Sequence, residues 1–160
     1  MSGAPPIIRA ATPADGEAIM AVHRASILGL GIAAYAAEEV ESWAAGLKPE
    51  GYGWAMTEGG EAMEVAEDSR GRIVAFCSWK ADEVCGLYVH PDAARRGLGG
   101  AMLARAEAAI AACGHRAIRV GASLSGRPFY ERHGYRVTRH KDWKTRGGLV
   151  IAALDMEKRL

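Results

Sequence analysis

Two kinds of periodicity alternate along the chain. Residues 62–67 (AMEVAE) and 73–79 (IVAFCSW) change side every second position, as half-buried strands do, and the turn-forming DSRGR of residues 68–72 joins them into a hairpin. After Ala81-Asp82, residues 83–89 form a third strand, stopped by Pro91, which has no N–H for a ladder. Helical spacing appears elsewhere. Ile19, Val22, His23 and Ile27 share one side of a helix opening at Thr12-Pro13-Ala14-Asp15. There Thr12 is the N-cap, Pro13 the first helical residue, and Asp15 lies near the positive end of the dipole. Gly29-Leu30-Gly31 is read as its breaker. A second helix after Tyr35 carries Val40, Trp43 and Ala44 before Gly46. Residues 97–112 are strong helix formers closed by Gly114. Residues 7–11 and 117–120 read as strands, and 127–132 as a short helix ended by Gly134. A last hairpin, 135–139 with 149–156, turns at Arg146-Gly147-Gly148.

The order β-α-α-β-β-β-α-β-α-β-β predicts an α+β fold on a mixed sheet. Strands 83–89 and 117–120 run parallel, because a helix crosses between them. With 160 residues and no repeat, low-complexity tract or linker, residues 1–160 form one domain.

Charge narrows the function classes. Twenty Lys and Arg against nineteen Asp and Glu leave +1, too balanced for wholesale nucleic-acid binding, so any basic site must be local. Apolar runs are too short for a bilayer, and MSGAPPIIR lacks the basic and long apolar regions of a signal peptide. Cys77, Cys85 and Cys113 have no metal-ligand spacing and read as free thiols, so a cytoplasmic location is expected, with no metal.

The stretch that calls for chemistry is LYVHPDAARRGLGGAML, residues 87–103. A strand stops at proline, two arginines and three glycines follow, and a helix begins. Amides at a helix N-terminus lack internal partners and carry the positive end of the dipole, so they suit a phosphate. Gly97, Gly99 and Gly100 would clear its approach, while Arg95 and Arg96 add charge. No Lys-Ser/Thr follows the glycines, as a P-loop requires. Nor do the glycines come directly after the strand, as in a dinucleotide fingerprint. A pyrophosphate site of another kind remains.

On these residues the chain resembles the GNAT superfamily of acyl-CoA-dependent N-acyltransferases. That family's loop reads Gln/Arg-x-x-Gly-x-Gly/Ala after a strand ending Val-x-Pro; here it is Val89-His90-Pro91, then Ala94-Arg95-Arg96-Gly97-Leu98-Gly99, with Ala94 at the Gln/Arg position. A second signature, similar to FYE-x-x-GF, appears as Phe129-Tyr130-Glu131-Arg132-His133-Gly134-Tyr135. The resemblance implies a three-layer αβα fold around a mixed, mostly antiparallel sheet with a central splayed parallel pair. It also implies acetyl-CoA as co-substrate and an amine acceptor, small molecule or peptide, with neither nucleic acid nor membrane as partner. A homodimer is compatible with it.

Carried over, Leu87, Tyr88 and Val89 give backbone contacts to the pantetheine arm, and the Val89 amide polarises the thioester carbonyl. Arg95, Arg96, Gly97, Leu98, Gly99 and Gly100 hold the pyrophosphate. Ser123 takes a position where relatives often have an Asn touching the pantetheine. Phe129 and Tyr130 complete the cofactor side, and Tyr130 is the acid for the leaving thiolate. An amine titrating near about 10.4 also needs a base. The resemblance offers Glu83, six residues before Val89. Strand alternation would put residues 83, 85, 87 and 89 on one face. Asp82, His90, His133 and a water chain are rivals. Tyr35, Trp43 and Trp54 either line an acceptor pocket or pack the second helix, and Glu38, Glu39 and Glu41 either attract a cationic amine or form a solvated face. A CoA-binding regulatory domain without turnover, and a nucleotide-phosphate module, are the competing classes.

Overall fold

A computed structural model describes residues 3–160. Seven strands form one sheet: β1 (Ile7–Ala10), β2 (Ala62–Glu67), β3 (Ile73–Lys80), β4 (Glu83–Val89), β5 (Ala117–Ser123), β6 (Arg136–Lys144) and β7 (Val150–Arg159). Their spatial order is β1-β2-β3-β4-β5-β7-β6. All neighbours are antiparallel except β4 and β5. The helices are α1 (Gly16–Leu30), α2 (Ala37–Ala44), α3 (Pro49–Thr57), α4 (Leu98–Ala112) and α5 (Arg127–Arg132).

Strands β2 and β3 carry buried apolar residues on both sides, so the sheet is covered twice there. On one face Met102, Leu103, Ala106 and Ile110 of α4 bury Ala75, Cys77, Val84 and Ile118, with Tyr130 of α5 in the same cluster. On the other face Ile19 and Val22 of α1 and Tyr52 of α3 pack on Val65 and Phe76, while Val40 and Trp43 of α2 reach Ile151 of β7. These are the three layers of the expected αβα fold.

Several boundaries differ from the sequence reading. Helix α3 was missed. Gly51 and Gly53 interrupt its pattern, and Tyr52 is its only buried residue. Residues 13–15 form a 3-10 turn, and α1 begins at Gly16, where a Cβ would sit 2.5 Å from the Pro49 carbonyl oxygen. Helix α1 ends at Leu30 with Gly31 as its C-cap, within the expected Gly29-Leu30-Gly31 stretch, and a Cβ at Gly29 would meet Pro91 Cγ at 2.6 Å. Strand β5 extends to Ser123, and the last hairpin is longer than expected, because both strands continue to pair across its tip.

Candidate active site

The central parallel pair is short. Only Glu83 with Arg119 and Val84 with Val120 are in register. Beyond them β4 stays with β3 up to Val89, and β5 stays with β7 up to Ser123, so the two strands diverge. The His90 N–H donates to the Val74 carbonyl at 2.8 Å, which fixes the phase of the β3–β4 ladder. Gly86 and Tyr88 therefore turn their backbone groups toward β3, and Leu87 and Val89 turn theirs into the gap. Tyr35 holds the far side: its Oη accepts from Leu124 N–H at 2.8 Å and donates to Ala152 O at 2.6 Å. Tyr35 is thus a structural clip, and the end of β5 is tied toward β7.

At the mouth of the gap the chain turns into α4. Arg95 has φ +62 and Gly97 φ +82, and α4 starts at Leu98. The first bond of this turn runs from Ala101 N–H to Gly97 O at 3.0 Å, so the amides of Leu98, Gly99 and Gly100 have no acceptor within the helix. Alternating positive and negative φ turns successive N–H groups to one side, which makes an anion cradle. Arg95 and Arg96 are exposed beside it.

The three glycines do different things. Gly97 has open space around its absent Cβ and is required by its φ. A Cβ at Gly99 would lie 3.2 Å from Phe129, and one at Gly100 would lie 2.9 Å from His133. Those two positions let α4 pack on α5, a different reason from the ligand clearance expected of them.

Tyr130 is 7% exposed, within the cluster that includes Val84 and Val89, and its hydroxyl has no hydrogen-bond partner among the described residues. Burial raises its pKa, so the phenol stays protonated. Phe129 packs between Gly99 and His133. Ser123 Oγ accepts from Gly126 N–H at 3.0 Å and so shapes the turn into α5.

Glu83 does not share a face with Leu87 and Val89. Ser78 pairs with Gly86 and Trp79 with Val84, which leaves Cys85 as an extra residue. This bulge reverses the alternation: Val84, Leu87 and Val89 face α4, while Glu83 joins Tyr88 on the α1 side. Glu83 lies 3.4 Å from Arg119 and lines a cleft of about 400 Å³ with Gly121, Lys141 and Asp155. Its rivals are engaged elsewhere. Asp82 pairs with Arg119 at 2.9 Å, His90 Nδ1 accepts from Asp92 N–H at 3.1 Å, and His133 packs on Phe129. Trp43 is buried and Trp54 is 63% exposed, so the three aromatics do not form one pocket.

An acetyltransferase (GNAT) domain is the family whose model matches residues 32–160. The chain belongs to the GNAT acetyltransferase family. A GCN5-related N-acetyltransferase from Rhodopseudomonas palustris is similar over 100% of this chain and 99% of its own, at 29% identity and TM-score 0.89. The PaiA N-acetyltransferase from Thermoplasma acidophilum, solved with coenzyme A, matches over 100% of both chains at 22% identity and TM-score 0.76. A GNAT phosphinothricin acetyltransferase from Sinorhizobium meliloti, solved with acetyl-CoA, covers 98% of this chain and 89% of its own at 20% identity and TM-score 0.68. No curated protein matches the chain. Among the described residues no helix is long and apolar enough to cross a membrane, and no three His, Cys, Asp or Glu side chains come together as a metal site would require.

Sequence reasoning missed His23, Arg146 and the side chain of Tyr88. His23 Nδ1 lies 2.8 Å from Tyr52 Oη, and Arg146 reaches back across the last hairpin to Trp43 O at 2.8 Å. His23 was legible only as one position on an apolar helix face.

Proposed function

We propose that this GNAT domain transfers an acetyl group from acetyl-CoA to a primary amine by direct attack on the thioester. The observation that carries the reading is the splayed β4–β5 gap, with the free backbone of Leu87 and Val89 along it and unpaired amides at the start of α4 beside it. Arg95, Arg96 and the amides from Gly97 to Gly100 hold the diphosphate. The backbone of Leu87 and Val89 lines up the pantetheine arm, and Val89 N–H stabilises the oxyanion that forms on the thioester carbonyl.

Because α4 and α5 fill one face of the gap, the amine arrives from the α1 face. The Cys85 bulge turns Glu83 to that side, where its carboxylate takes the proton the amine must lose, directly or through water. The C–N bond forms, the C–S bond breaks, and Tyr130 gives its proton to the departing thiolate. Burial keeps the phenol protonated, so its proton is in place when the thiolate leaves.

The test is thermal stability with acetyl-CoA, followed by thiol release with a panel of amines. A ligand at 100 times its Kd adds about 2.7 kcal/mol to the folded state. Absence of any shift with an acyl-CoA would end the reading. A shift without thiol release from any amine would favour a CoA-binding regulatory domain instead.

A further inference from the structure

His23 Nε2 is the one buried side-chain nitrogen or oxygen among the described residues with no hydrogen-bond partner. The ring stands on α1 with its centroid 4.1 Å from that of Tyr88 and 5.4 Å from that of Phe76. Its other nitrogen meets Tyr52 Oη at 2.8 Å. Tyr52 is buried and has no second partner. The tautomer that satisfies most groups therefore has the phenol donate to Nδ1, and the imidazole proton sits on Nε2. A buried donor left unpaired costs about 1–3 kcal/mol, and an apolar residue at this position would avoid that cost. Burial first, and the charge of Arg146 second, lower the His23 pKa to about 3, so near neutral pH the ring is an uncharged donor.

Arg146 is the second polar group on this side. It donates from Nη2 to Trp43 O at 2.8 Å and from Nε to Ala45 O at 3.1 Å, and no carboxylate among the described residues pairs with it. Its positive field reaches His23, Tyr52 and Tyr88. The remaining neighbours are rings: Trp43 stands 6.5 Å from Tyr88 and 6.1 Å from Trp143. A buried donor with no partner, and an exposed guanidinium bonded only to carbonyls, favour a negative charge over a second ammonium.

We propose that the acceptor is a primary amine that also carries a carboxylate or similar oxyanion, held on the α1 face by Arg146 and the His23 Nε2–H, with its apolar body against Trp43 and Tyr88. Tyr88 lies between Leu87 and Val89, whose backbone lines the gap, so an acceptor anchored by its acidic end presents its amine there. Nε2 is covered in this conformation, so the oxyanion meets Arg146 first and reaches His23 as the Tyr88 ring moves aside. The acceptor class rests on the acyl-transfer reading above.

Matched acceptors test it: phenylalanine against phenethylamine, tyrosine against tyramine, and methionine against 3-(methylthio)propylamine. Thiol release gives kcat/KM for each, and calorimetry on the CoA-saturated protein gives binding without turnover. The acid-bearing member of each pair is expected to be favoured by about tenfold or more, mostly through KM. Arg146→Gln should collapse that ratio, Arg146→Lys should retain most of it, and His23→Phe should reduce it. Each variant must keep the acetyl-CoA thermal shift. Equal or reversed preference in the unaltered protein overturns the proposal, as does Arg146→Gln slowing both members alike. Carboxylate-dependent binding without thiol release would uphold it while ending the acyl-transfer reading. Turnover without preference would do the reverse, and binding of neither member would also overturn it.

Discussion

Tyr35 and Leu124 are joined by a 2.8 Å hydrogen bond from the Leu124 amide to the Tyr35 hydroxyl, and that hydroxyl donates on to Ala152. One side chain from the loop before α2 thereby satisfies backbone groups at the end of β5 and on β7. Tyr35→Phe strands both. An unpaired buried group costs about 1–3 kcal/mol, and these two are part-buried with water in reach, so denaturant unfolding should show a loss of about 1–2 kcal/mol. Acetyl-CoA should also bind more weakly, because the end of β5 is then free to drift toward β4.

The glycines of the loop should separate by mechanism. Gly97→Ala meets no atom but must hold φ +82, a strain of about 1–2 kcal/mol concentrated at the anion cradle. Gly100→Ala is pressed against His133 at 2.9 Å. Removal of the ring in a Gly100→Ala/His133→Ala double variant should restore stability, whereas His133→Ala should do nothing for Gly97→Ala. Thermal melts with and without acetyl-CoA read both effects.

Tyr130→Phe removes a hydroxyl with no protein partner, so the fold should lose less than about 1 kcal/mol. If the phenol protonates the leaving thiolate, kcat should fall by about 10²-fold or more while the acetyl-CoA thermal shift persists. An unchanged kcat would remove Tyr130 from the chemistry.

Glu83→Gln should lower kcat by about 10–100-fold with acetyl-CoA affinity unchanged. Asp82→Asn is the control: it loosens the Arg119 pair at 2.9 Å without touching the carboxylate assigned to the amine. Equal losses in both variants would mean that the charge cluster, and not Glu83 as base, matters.

Acid should act partly through His23. Its folded pKa, about 3, lies below the ordinary 6.5, so the unfolded chain takes up a proton first as pH falls. The stability that depends on a neutral ring is present above about pH 6.5 and is lost progressively toward pH 3. Between pH 7 and 4.5 the loss from this group should be on the order of 1–3 kcal/mol. Unfolding of His23→Phe over the same range should be flatter by that amount.

Much of the fold was legible because its signals are local. The alternation of residues 62–67 and 73–79, and the strand–proline–arginine–glycine–helix order around Gly97, each lie within one short window. Helix α3 was not legible, since two glycines in nine residues erase a pattern that only packing by Tyr52 restores. Glu83 shows a different failure. Its distance from Val89 can be counted, but its face depends on an extra residue at Cys85, which exists only relative to β3.

The chain by itself settled the seven strands, four of the five helices, the glycine-rich turn at Arg95–Gly100 and the family to which they point, because turn chemistry and periodicity act between near neighbours. Only the tertiary structure decided that β4 and β5 part after two residue pairs, that Glu83 turns toward α1, and that His23 and Arg146, far apart in sequence, meet one aromatic wall. Those outcomes are set by pairings between distant segments, which no single window of residues contains.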